Sequence, residues 1–183
     1  MKRNFLKFLA VTAFALAGVA GATTGPGPLT DSDIAAKAAH EIRMYPRYTI
    51  WDNISVRANG GNLELIGQVS QPFKKADLQR IAQRIAGVSS VTNELEVLPV
   101  SFQDDNLRIR IARAIYRDPA LSRYAIQAVP PIHIIVKNGH VTLEGVVNNE
   151  LEKQVAYTRA STAGLSFGQV QNNLRVENPK SKS

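Results

Sequence analysis

Apolar positions between residues 31 and 177 follow two alternating rhythms. Ile34, Ala38 and Ile42 recur every four residues and share one face of a helix, as do Leu107, Ile111 and Ile115. Pro46 and Pro119 stop these helices. Ile54, Val56 and Ala58, and then Ile132, Ile134 and Val136, alternate with polar residues as half-buried strands do. Asn59-Gly60-Gly61 and Asn138-Gly139 follow, and such dipeptides favour the positive φ of a hairpin turn. The strands beyond the turns are Asn62 to Val69 and His140 to Val147. A second helix carries Leu78, Ile81, Ala82 and Ile85 in the first copy. In the second copy Asn149 and Glu152 look like a capping box, with Leu151, Val155 and Thr162 expected to face inward. Val91, Leu95 and Val97, and then Val170, Leu174 and Val176, form the closing strands.

The chain is therefore an internal repeat. The fold expected is α+β: two αββαβ units, 31–99 and 104–177, each a three-stranded sheet with two helices on one face. A core of ~70 residues is marginal alone, so the units are expected to pack together across the short linker Val100–Gln103. Trp51, the only tryptophan, is expected to cap the first core.

Residues 1–22 read as a cleaved signal peptide: Lys2, Arg3 and Lys7, an apolar run from Phe8 to Val19, then Ala20-Gly21-Ala22. Residues 23–30 are read as a flexible leader and 178–183 as a disordered tail. The expected location is the periplasm. The chain has no cysteine, which excludes disulfides, thiol catalysis, Cys-based metal sites and a lipoprotein anchor. Its net charge of +7 falls to +4 without the signal peptide. Residues 31–99 hold 8 basic and 8 acidic groups, and 104–177 hold 9 and 7.

The segments Gly60 to Val69 and Gly139 to Val147, with Gly87-Val88-Ser89-Ser90-Val91-Thr92-Asn93-Glu94-Leu95-Glu96-Val97, resemble the BON domain family. The second copy departs from this ending by two extra residues within Gly164–Gln169 before Val170-Gln171-Asn172-Asn173-Leu174-Arg175-Val176. The chain is similar to tandem BON-domain proteins, of which the soluble, osmotically inducible periplasmic branch also lacks the lipoprotein cysteine. The resemblance implies an envelope role: contact with anionic phospholipid, envelope integrity under stress, or help to outer-membrane protein folding.

The sequence offers no catalytic constellation. His40, His133 and His140 lack ligand-spaced partners, and no phosphate loop, nucleophile elbow or zinc motif occurs. No catalytic residue, metal or cofactor is expected. Neither nucleic acid nor a small-molecule substrate is an expected partner.

Charge gathers instead on one helix. Arg110, Arg113 and Arg117 fall opposite the stripe of Leu107, Ile111 and Ile115, while Ile109 and Tyr116 stand off the stripe, seven residues apart. One reading is a membrane surface in which Ile109 and Tyr116 insert and the three arginines hold anionic headgroups. The other places Ile109 and Tyr116 against the first unit, with solvated arginines. A chaperone or adaptor that binds unfolded or outer-membrane proteins is the alternative function, and it requires an exposed apolar patch.

Overall fold

A computed structural model describes residues 29–163 and 169–177. The expected signal peptide, most of the leader, the tail and the extra residues near 164–168 lie outside them. Thr30, the last residue read as leader, caps the first helix: its hydroxyl accepts from Asp33 N at 3.2 Å, and Asp33 accepts from Thr30 N at 3.0 Å.

The first unit runs α1 (Asp31–Arg43), β1 (Asn53–Asn59), β2 (Asn62–Val69), α2 (Pro72–Gln83) and β3 (Ser90–Val97). β2 lies in the centre, antiparallel to β1 and parallel to β3. Ile34, Ala38 and Ile42 of α1 and Leu78 and Ala82 of α2 close on Leu63, Leu65, Val69 and Leu95.

The second unit repeats this order: α3 (Phe102–Tyr116), β4 (Ile132–Lys137), β5 (His140–Val147), α4 (Glu150–Ala163), then β6 (Val170–Asn172) and β7 (Arg175–Val176). β6 and β7 both pair in parallel with β5, as two halves of the strand that is continuous in the first unit. A 3-10 turn at Ser122–Ile126 adds Leu121 and Tyr124 to a larger core.

On α4 the inward stripe differs from the expected one. Ala156 and Ala160 are buried, Val155 is half-buried, Leu151 is 70% exposed and Thr162 is exposed. The cause is Glu152, which turns inward to accept from Tyr124 Oη at 2.5 Å and Asn148 N at 3.1 Å and to pair with Arg123. Asn149 does cap the helix, accepting from Glu152 N at 2.9 Å. The capping box is incomplete, because the Glu152 carboxylate serves Asn148 N and the Asn149 side chain.

A strap and an ion pair join the two units. Ile50 and Trp51, in the loop before β1, pack against the second core rather than capping the first. Ile134 N donates to Ile50 O at 2.7 Å, and His133 Nδ1 meets Asp52 O at 2.6 Å. The strap thereby covers part of the edge of β4, whose free backbone groups would otherwise invite pairing. Lys137 and Glu96 form a second link at 2.6 Å, both close to half exposed.

Candidate functional site

The residues shared by both units act on the fold. Asp31 accepts from Gly60 N at 3.0 Å, and Asp104 accepts from Gly139 N at 2.8 Å, so each first helix begins by holding its own hairpin turn. Asn93 donates to Lys75 O at 3.0 Å and Asn172 donates to Lys153 O at 3.2 Å; each amide also accepts from the leucine N two residues on. These asparagines tie the closing strand to the second helix. Gly67 and Gly145 have φ of 125° and 117°, and a Cβ there would collide with the carbonyls of Asn53 and Pro131. The repeated motif thus encodes close backbone approach and turn support. Any function particular to one unit must rest on residues that the two do not share.

The histidines give no common site. His40 and His140 are exposed on separate units, and His133 is engaged with Asp52. No group of three or more His, Asp or Glu suited to a metal ion occurs among the described residues.

Among the described residues, the surface that fits the ligand class expected from the sequence is α3. Ser101 caps it, accepting from Asp104 N at 3.2 Å. Leu107, Ile111 and Ile115 are fully buried. Arg108 folds inward as well, donating to Val136 O at 2.5 Å and pairing with Asp105, and its Nε has no partner. Arg110, Arg113 and Arg117 are exposed. The side chains of Arg113 and Arg117 enter no ion pair among the described residues, while Arg110 has a partner.

Ile109 and Tyr116 part company. Ile109 is 43% exposed, beside Trp51 and Arg108 at the rim of a cavity of about 330 Å³. Tyr116 is half-buried against the second core, and its hydroxyl donates to Ile132 O at 2.5 Å. Burial pushes the Tyr116 hydroxyl pKa well up. Of the two readings of Tyr116, the one in which it stands free beside Ile109 is therefore corrected: the Ile132 carbonyl offers its phenol a partner and the second core takes its ring. The structure brings Phe102 into the row instead. Phe102 is 81% exposed, seven residues before Ile109, hence on the same side of the helix. The sequence placed Phe102 in the linker, and only the seven-residue spacing from Ile109 could have found it.

Comparison with known proteins bears on the frame that the two units share. The BON domain family matches residues 30–99 and 103–178. The chain belongs to the BON domain family. Its tandem α+β units are two BON domains, a family associated with phospholipid binding and with envelope proteins. No curated protein matches the chain. Solved structures of CdsD, a structural protein of the type III secretion system of Chlamydia trachomatis, are similar to it. One is 16% identical, with 81% of this chain and 95% of that one covered and a TM-score of 0.28. The other, its C-terminal domain, is 15% identical, with 82% and 100% covered and a TM-score of 0.29. At such scores neither carries an argument about this chain. No described helix is long and apolar enough to cross a membrane.

Proposed function

We propose that this tandem BON-domain chain is an exported, non-enzymatic envelope protein that seats α3 on anionic phospholipid and supports envelope integrity under stress. The observation that carries the reading is the open side of α3. Phe102 and Ile109 lie exposed in one row, and Arg113 and Arg117 beside them pair with no carboxylate among the described residues. Apolar side chains can enter the acyl boundary while guanidinium groups meet phosphate oxygens, which they bind with planar, forked geometry. Arg110 borders the same face. Tyr116 anchors the helix from within and does not insert.

Two inserted side chains and two or three arginines, each worth ~1 kcal/mol near an anionic surface, give a reversible association. Sedimentation with phosphatidylglycerol–phosphatidylcholine vesicles tests it. The wild-type chain should sediment with anionic vesicles and stay behind with pure phosphatidylcholine. Reversing Arg113 and Arg117 together to Glu should abolish sedimentation, and unchanged sedimentation would discard the reading. A periplasmic chaperone or adaptor would instead suppress aggregation of an unfolded client, with the reversed chain as effective as the native one.

A further inference from the structure

At the C-terminal end of α3 the loop Tyr48–Ile50 faces the segment Ala125–Pro130 across Tyr116, leaving an open groove of about 300 Å³. Its lining includes Tyr48, Ile50, Tyr116, Ala128, Val129 and Pro130. The Tyr116 hydroxyl is committed to Ile132 O, so that ring offers the groove carbon only. Ile126, next to the wall residue Ala125, is 86% exposed. An apolar groove flanked by a bare aliphatic side chain is a place where a hydrocarbon gains from leaving water.

The acids near this groove are each taken up by a cation: Asp52 by Lys74, Asp118 by Arg159 and Glu152 by Arg123. The segments that build it carry Arg47, Arg113, Arg117 and Arg123. Arg47 lies over the Phe73 ring at 5.0 Å, and Arg123 is paired with Glu152. The single acid within residues 113–130 is Asp118, held by Arg159 at 2.6 Å. Arg113 and Arg117 have no such partner among the described residues. Arg113 stands three residues before Tyr116, and side chains at that spacing are neighbours on a helix surface. The groove is thus apolar within and basic at its side.

We infer that the groove binds the single hydrocarbon chain of a fatty acid, with the chain against Tyr116 and Val129 and the carboxylate at Arg113 and Arg117. A volume at the lower end of ligand pockets has room for one chain and not for a diacyl lipid. Arginine can take a carboxylate through two parallel hydrogen bonds. This site shares two arginines with the membrane surface proposed above, but it needs no bilayer, so either can fail alone.

The test is titration of the full chain with dodecanoate below its micellar concentration, followed by two-dimensional amide NMR. Saturable shifts should concentrate at 48–50, 116 and 125–129. Ala128 is exposed on the wall, and Ala128→Trp fills the groove. That variant should weaken dodecanoate by about ten-fold or more while keeping the native melting temperature and vesicle sedimentation. Should it melt early, Ala125→Trp on the same wall replaces it. Arg113→Glu with Arg117→Glu should weaken dodecanoate similarly and leave uncharged dodecyl maltoside unchanged. The inference is overturned by absent or unsaturable shifts, or by filled-groove variants that bind dodecanoate as the native chain does. It is equally overturned if dodecyl maltoside binds as tightly as dodecanoate to the native chain. Displacement of the fatty acid by an unfolded polypeptide at lower concentration, or by self-association of the chain, would also assign the groove to those occupants.

Discussion

His133 in the second unit meets the backbone carbonyl of Asp52 in the first at 2.6 Å. A carbonyl only accepts, so the imidazole donates from Nδ1. The ring lies in a cleft with Arg43, Tyr48, Glu144 and Arg175, with the Tyr48 ring 5.4 Å away. Burial lowers the His133 pKa from its ordinary 6.5, against the upward pull of Asp52, Thr49 and Glu144. The unfolded chain therefore takes up this proton first as the solution is acidified. Stability from this contact is complete above about pH 6.5 and is lost as pH falls towards the lower folded value. The urea midpoint should drop between pH 7.5 and pH 5, and His133→Gln should flatten part of that drop. An identical drop in the variant would remove His133 from the explanation.

The same Asp52 anchors the strap by its side chain. It is wholly buried, accepting from Lys74 Nζ at 2.6 Å, Thr49 N at 2.9 Å and Ser70 N at 2.8 Å. Removing one partner of a buried pair strands the other charge, at a cost of about 3 kcal/mol or more. Lys74→Met should lower the unfolding free energy by that order. Arg57→Met, which breaks the exposed pair with Glu64, should cost less than about 1 kcal/mol. Equal costs in denaturant titrations would mean that the buried pair is no more than an exposed one.

The repeat, the order of elements and the core stripes of α1, α2 and α3 were legible because each follows a short local period. What stayed hidden depended on partners far along the chain. Lys74, at the start of α2, is buried, because Asp52 lies over it in space. Its counterpart in the repeat, Glu152, carries the opposite sign and is met by Arg123 and Tyr124. A charge of inverted sign at one matching position, met by partners at unrelated positions, leaves no trace in an apolar pattern. Trp51 was assigned to the nearer core, whereas the strap hands it to the farther one. On α3 the angular placement was right for Ile109 and for the exposed arginines. It failed for Tyr116, since helical angle does not register a carbonyl within reach of a phenol.

Backbone approach at the repeated glycines makes a sharper demand than turn geometry. Gly67→Ala and Gly145→Ala set a methyl against a neighbouring strand carbonyl, whereas a Cβ at Gly139 meets nothing within 4 Å. The first two should each cost about 3 kcal/mol or more, combining strain with strand displacement. Gly139→Ala should cost about 1 kcal/mol, for its positive φ alone. Urea midpoints in that order would check the distinction.

Asp104 joins the start of α3 to the hairpin that carries β5, accepting from Asn138 N at 2.9 Å as well as from Gly139. It is 2% exposed. Asp104→Ala leaves the backbone donors of Asn138 and Gly139, which are only partly buried, without their acceptor, at about 1 kcal/mol. The change should also raise amide hydrogen exchange at 138 and 139 ahead of the rest of the second unit. Exchange that rises uniformly would mean that the carboxylate serves the helix and not the turn.

The membrane reading divides α3 into an electrostatic part and an apolar part, and salt separates them. Exposed guanidinium groups act on a lipid surface over roughly 8 Å at physiological ionic strength, and over roughly 3 Å at 1 M. Vesicle binding should therefore fall steeply as salt rises. Ile109→Asp and Phe102→Ser remove apolar insertion, so each should weaken binding by a similar factor at every salt concentration. Reversing Arg113 to Glu should reduce the salt slope itself. Tyr116→Phe, which removes only the bond to Ile132, should leave vesicle binding unchanged while lowering stability by about 1 kcal/mol. Loss of binding in Tyr116→Phe without loss of stability would return the phenol to the lipid-contacting set and reverse the assignment made from its burial.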